Sequence, residues 1–274
     1  MKDWPAGGLA SLSVTSGGAV LRAVYGGKGR PVVFLHAGVA DSRMWAAQLP
    51  AVAAGHLAIA YDRRGFGRTT ARPEAHRHTD DLRAVLDALA PRHPAVLVGC
   101  SQGGRVAIDA ALAYPSRVAA LLLIAPAVSG GPELETPGAV GDLVHMLGAA
   151  EAAGDLDEAN SLEAHLWLDG PGEPEGRVGG GVRELFLEMN GRVLRAASVG
   201  EERPAGEAWN RLGELRLPVH VLCGERDVPG VVERCEQIAS RIPGARLRVL
   251  PGSAHLPSMD APAATTEWIL GALR

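Results

Sequence analysis

Residues 95–115 read AVLVGCSQGGRVAIDAALAYP, and this stretch decides the fold. Ala95–Cys100 is an unbroken apolar run, the mark of a strand buried on both faces. Arg105–Pro115 has a helical pattern and is ended by its proline. Between them lies Gly99-Cys100-Ser101-Gln102-Gly103, a G-x-S-x-G. A strand that turns directly into a helix through this pentapeptide has the setting of a nucleophile elbow. The turn strains the serine backbone by about 1–3 kcal/mol. Gly99 and Gly103 let strand and helix approach without Cβ clashes. The turn lifts the Ser101 hydroxyl clear of the sheet and aims the Gln102 N–H at a reacting carbonyl oxygen.

Outward from the elbow, strand and helix alternate about four times. Ser11–Thr15 and Ala19–Tyr25 flank Ser16-Gly17-Gly18 and predict a hairpin. Pro31–His36 predicts a buried strand, and Asp41 opens a helix to about Ala53. His56–Asp62 is the next strand, Thr79–Leu89 a helix, and Val118–Pro126 a strand. This rhythm predicts a doubly wound, mostly parallel α/β sheet. It then stops. Residues 128–209 contain no strand-like run but helical stretches near 137–153, 155–168 and 182–198. Strands at Leu217–Cys223 and Ala245–Leu250 and helices at 229–241 and 261–273 follow. The expected organisation is one core domain, 1–127 with 210–274, split by a helical insertion at 128–209.

A neutral serine hydroxyl needs a base, and the base needs an orienting acid. Asp227 and His255 each follow a predicted strand, where open α/β sheets place their ligand crevices. Glu225 is the rival acid; Asp227 lies further onto the loop. A second oxyanion donor is expected after an earlier strand, in His36-Ala37-Gly38-Val39, where Gly38 brings its N–H close.

Composition sets the outer bounds. The chain has 274 residues, 47% hydrophobic and 21% charged, with formal charge −4. That excludes a disordered or fibrous chain. No basic block is present, so nucleic acid is not an expected partner. Three scattered cysteines, Cys100, Cys223 and Cys235, suit neither a disulfide scaffold nor a zinc site. The N-terminal decapeptide has no apolar core of a secretory signal, and no apolar run reaches the ~20 residues of a spanning helix. A soluble, cytoplasmic protein is the expectation, with monomer and homodimer both open.

The stretches FLHAGVADSRMW, YDRRGFGRT, VGCSQGGRVAIDAALAYP, VLCGERDVP and PGSAHLPSMDAP together resemble the α/β-hydrolase family, in its serine branch with a helical cap. The resemblance covers most of the chain outside the insertion. It implies an eight-stranded sheet with an antiparallel second strand and a cap over the site. It also implies Ser101 as nucleophile, Asp227 as acid, His255 as base, and Gly38 and Gln102 as oxyanion donors. One departure is Ala37, where many members have glycine after the histidine. The serine sets the chain apart from the dehalogenase and epoxide-hydrolase branches, which carry aspartate there.

Other motifs have plainer readings. His36 is a structural loop histidine. Asp62, Arg63, Arg64 and Arg68 hold a turn and face solvent. His76 and His78, near Glu74 and Asp80, form a solvated loop and helix start rather than a metal pair. Cys100 is a small buried hydrophobe, and Asp260 with Pro262 starts the final helix. Within the insertion, Met146, Trp167, Phe186 and Met189 are candidate pocket walls, with packing onto the body as the alternative; Leu166 and Trp209 are the other large residues there. The expected activity is hydrolysis of small carboxylic esters or lactones without metal or organic cofactor. Carbon–carbon hydrolysis, peracid formation and non-catalytic ligand binding are the alternatives.

Overall fold

The computed structural model describes residues 8–136, 138–203 and 206–274, so most of the N-terminal stretch read for a secretory signal lies outside it. The strands are β1 (Ala10–Ser16), β2 (Ala19–Gly26), β3 (Pro31–Leu35), β4 (Leu57–Tyr61), β5 (Thr70–Ala71), β6 (Ala95–Cys100), β7 (Val118–Ile124), β8 (Val219–Gly224) and β9 (Arg246–Leu250). The helices are α1 (Gln48–Ala53), α2 (His78–Leu89), α3 (Gln102–Ala113), α4 (Ala139–Ala153), α5 (Leu156–Glu163), α6 (Gly180–Leu194), α7 (Pro229–Arg241), α8 (Pro257–Asp260) and α9 (Pro262–Ala272).

Eight strands form one sheet in the order β1-β2-β4-β3-β6-β7-β8-β9. The hairpin closes as expected, pairing Ser16 with Ala19 across Gly17 and Gly18. Strand β2 runs against both of its neighbours, β1 and β4, and the strands from β4 to β9 along the sheet are parallel. The short β5 adds a ninth strand on β2, a two-residue pairing too brief to leave a sequence signal.

Strand β3 is buried along its whole length, as its apolar run requires. Its alternate residues feed two cores. Val33 and Leu35 pack with Leu97, Leu123, Leu82 of α2, Val106 of α3 and Ile238 of α7. Val32 and Phe34 pack with Val98, Leu122, Leu49 of α1 and Ile269 of α9. Helices thus cover both faces. Each fully buried aliphatic side chain contributes about 1.5–3 kcal/mol of transfer free energy, so the centre of the sheet is a rigid platform.

The helix expected from Asp41 divides into a 3-10 turn at Ser42–Trp45 and α1. Pro50 is the physical reason. It has no N–H to donate one turn back, so it is accommodated in the first turn of a helix begun at Gln48. Asp41 instead caps the 3-10 turn, accepting from the Arg43 N–H at 3.0 Å. Between β7 and β8 lie α4, α5 and α6. Helix α5 runs on into a π-helical turn at Ala164–Asp169. No helix of the described residues is long and apolar enough to cross a membrane.

Candidate active site

Ser101 sits between β6 and α3 with φ +52° and ψ −117°, a conformation few L residues adopt. Backbone bonds to β7 and to the loop that follows it hold it there. Its N–H donates to Ile124 O at 2.9 Å, and its carbonyl accepts from Ala127 N at 3.0 Å. The two glycines are sterically required. A Cβ on Gly99 would lie 2.5 Å from Gly103 O, and one on Gly103 would lie 2.3 Å from Leu35 O. Ser101, Gln102 and Gly38 are all partly exposed, whereas the groups behind them are buried.

Asp227 follows β8 and His255 follows β9. His255 Nδ1 meets both carboxylate oxygens of Asp227, at 2.8 and 3.1 Å. Both residues are buried, 4% and 5% exposed for His255 and Asp227 respectively. A carboxylate on Nδ1 fixes the proton there and leaves Nε2 as the basic nitrogen. Asp227 Oδ1 also accepts from Val228 N at 2.8 Å, which orients the carboxylate. Glu225 is excluded from this pairing: it turns outward and accepts from Gly252 N at 3.0 Å. The Trp167 ring lies 4.6 Å from the His255 ring, tilted by 47°. It is carried by the π-helical turn, a local irregularity often found at functional sites.

Asp260 does not cap the final helix. It closes α8, and its buried carboxylate accepts from Ser253 Oγ at 2.5 Å, Ala254 N at 2.7 Å and Arg177 Nη2 at 2.8 Å. It therefore clamps the loop that carries His255. An aspartate five positions past the histidine was the available sequence signal, but its partner Arg177 lies in the helical segment and gave none.

Gly38 and Gln102 are neighbours: a Cβ on Gly38 would lie 3.5 Å from Gln102 Oε1. The loop carrying Gly38 is tied down by sulfur. Ala37 N donates to Met44 Sδ at 3.3 Å and Asp41 N to Met189 Sδ at 3.5 Å. His36 is fully buried, as a structural histidine should be. Its Nε2 accepts from Arg63 N at 3.0 Å and its Nδ1 donates to Ala37 O at 2.7 Å. Burial, then the Arg63 charge, pushes it well below its ordinary pKa of 6.5.

The charged turn differs from expectation. Asp62, Arg63 and Arg64 are buried rather than facing solvent. Asp62 accepts from Ser42 N at 2.9 Å and Arg68 N at 2.8 Å, which does hold the turn. Arg64 is enclosed because Asp81 on α2 receives its Nε at 2.8 Å and Glu74 its Nη1 at 2.6 Å. His76 and His78 are buried too, with rings 5.2 Å apart, and are not a solvated loop. The segment after α6 covers them: Glu201 O accepts from His76 N at 3.0 Å. Among the described residues no group of three or more metal-ligating side chains is found. Cys100 is fully buried, and burial raises its thiol pKa.

The four candidate pocket residues separate. Trp167 lies against His255. Phe186 and Met189 on α6 are buried in the core that includes Ala37, Ala40 and Met44, beside the Gly38 loop. Met146 on α4 is 50% exposed, and no buried cluster includes it. Trp209 packs into the opposite core under Arg241, away from α6. Helix α6 is tied to the body by Arg43, which meets both Asp41 at 2.7 Å and Glu188 at 2.8 Å.

The chain has known counterparts. The pattern of the alpha/beta hydrolase family matches residues 32–268. A pimeloyl-[acyl-carrier protein] methyl ester esterase of Aromatoleum aromaticum is 29% identical over 242 residues, covering 84% of this chain and 93% of its own. A thermophilic esterase from Thermogutta terrifontis has a solved structure with TM-score 0.75 and 27% identity, over 98% of both chains. The structure of Est816, described as an N-acyl homoserine lactone degrading enzyme, superposes with TM-score 0.74 and 26% identity, over 95% of this chain and 99% of that one.

Proposed function

The chain belongs to the alpha/beta hydrolase family, and from that premise we propose that it cleaves carboxylic esters or lactones through an acyl-enzyme on Ser101. The observation that carries this reading is the buried Asp227–His255 pair at 2.8 Å, past the ends of β8 and β9 on the same rim of the sheet as a serine held at φ +52° past the end of β6. The esterase and lactone-degrading relatives support the same class of bond.

In this reading His255 Nε2 takes the Ser101 proton as Oγ attacks the carbonyl carbon. Asp227 keeps the second proton on Nδ1 and stabilises the imidazolium that forms. The Gly38 and Gln102 N–H groups receive the oxyanion, a contribution of roughly 2.7–4 kcal/mol per donor. His255 returns its proton to the leaving alcohol, then activates water against the acyl-enzyme. The Trp167 ring beside His255 offers an apolar face to the substrate. We read residues 128–209 as a cap over this crevice. The Arg43–Glu188 and Trp167–His255 contacts support that reading, because both join the segment to the site's own loops.

The test is a series of p-nitrophenyl esters of increasing chain length, with lactones and a meta-cleavage dienoic acid alongside. The expected result is ester or lactone turnover with a chain-length optimum, reduced to the buffer rate in Ser101→Ala. Faster turnover of the dienoic acid would replace this reading with carbon–carbon hydrolysis. Turnover of no member of the set would favour a ligand-binding role.

A further inference from the structure

Arg63 has no exposed surface, and among the described residues no carboxylate accepts a hydrogen bond from it. Its guanidinium ends on the oxyanion loop instead. Nη1 donates to Gln102 Oε1 at 2.6 Å, and Nη2 donates to His36 O at 3.1 Å and Ala37 O at 3.2 Å. Ala37 O belongs to the peptide unit whose N–H is that of Gly38. The His36 Nδ1–H lands on the same oxygen at 2.7 Å. The Arg63 backbone N–H sets that tautomer by occupying His36 Nε2 at 3.0 Å. Two N–H groups, one of them charged, thus converge on the Ala37–Gly38 peptide oxygen. Peptide resonance makes the N–H of a so polarised unit a stronger donor.

We propose that Arg63 is a positioning residue for the oxyanion: it orients and polarises the Gly38 N–H from behind and grips the Gln102 side chain. It also leaves an uncompensated positive charge beside the developing negative one. The proposal rests on Ser101 being the nucleophile. A buried arginine without a carboxylate is costly to fold around. Dipoles and charges fixed before the reaction are what transition-state stabilisation requires. The next charges, Arg105 and Glu202, pair with each other at 2.8 Å and so offer Arg63 little net compensation. Burial lowers the Arg63 pKa to about 10, which keeps it charged at neutral pH.

The test compares Arg63→Met, Arg63→Lys and Gln102→Met with the parent chain. Sites are titrated to completion with a fluorophosphonate. Then kcat and KM are measured on p-nitrophenyl butyrate, with the Ki of a trifluoromethyl ketone. That inhibitor reports the oxyanion, because Ser101 Oγ bonds to its carbon, the carbonyl electron pair moves to oxygen, and the serine proton goes to His255. Arg63→Met is expected to lose about 10–100-fold in kcat per titrated site, with a parallel loss of inhibitor affinity and KM within about twofold. Arg63→Lys keeps the charge and falls between. Gln102→Met, which keeps its backbone N–H, shows a smaller loss of the same kind. Unchanged kcat per titrated site with a lowered Tm would overturn the proposal, as would a loss confined to KM. Should Arg63→Met fail to fold, the other two variants decide by the same readings. If the parent chain takes up no fluorophosphonate, the nucleophile reading falls and this one with it.

Discussion

Two buried histidines stand just past strand ends on the same rim of the sheet, and they have opposite surroundings. His255 follows β9 and meets the carboxylate of Asp227 at 2.8 Å. His36 follows β3 and meets the backbone N–H of Arg63 at 3.0 Å, with the guanidinium close by. In the proposed reaction the Asp227 carboxylate fixes a proton on Nδ1 and leaves His255 Nε2 to take and return another. Deep burial, then the Arg63 cation, disfavours an imidazolium at His36, which is held neutral and serves as a fixed link in the loop. Residue type and position along the fold do not decide a histidine's work; its burial and its hydrogen-bond partners do.

Substitution should break this contrast most severely at His255. His255→Ala is expected to lose about 10⁶-fold in kcat, since nucleophile and base act as a unit. His36→Asn should lose about tenfold, some 1.4 kcal/mol, through misalignment of the Gly38 loop. Steady-state kinetics on one ester reads both, and equal losses would dissolve the distinction. Next in size is Asp227→Asn, where the wrong tautomer of His255 should cost about 10⁴-fold in kcat with little change in Tm. Asp260→Ala should act through the loop instead. It strands the Ala254 N–H and leaves the Arg177 charge without its carboxylate, so urea unfolding should show a loss of about 2–4 kcal/mol.

The neutral histidines have their own signature in acid. Burial holds His78, like His36, below its ordinary pKa of 6.5, with the Arg63 charge the next cause for both. In the unfolded chain both take up protons as pH falls below about 6.5, while the folded chain does not. Stability is therefore whole above that pH and lost as pH falls, by about 1.4 kcal/mol per pH unit for each histidine. Urea titrations at pH 7, 6 and 5 should show this, and His78→Gln should remove one histidine's share. The smallest effect is expected at Glu225→Gln: less than about threefold in kcat and within ±0.5 kcal/mol in stability.

The sequence showed the sheet and the elbow clearly because both are local. Unbroken runs such as Ala95–Cys100 mark buried strands, and G-x-S-x-G must follow one closely. The choice of Asp227 over Glu225 was legible from its place further along the loop, and the structure pairs it with His255. The buried charges were not legible. Arg63 reaches Gln102 across 39 positions, and Arg105 reaches Glu202 across 97. Nothing local separates such an arginine from one in solvent, which is why Asp62–Arg64 read as an exposed turn. The helical segment was legible as helix but not by face. Apolar spacing could not show that Met189 turns to the Gly38 loop while Met146 on α4 turns to solvent.

The central claim is that Ser101, backed by His255 and Asp227, is the nucleophile. Intact-mass analysis after fluorophosphonate treatment tests it most directly. One adduct per chain, mapped to Ser101 and absent from Ser101→Ala, is the expected result; an unlabelled parent chain, or a label that persists in Ser101→Ala, would contradict it.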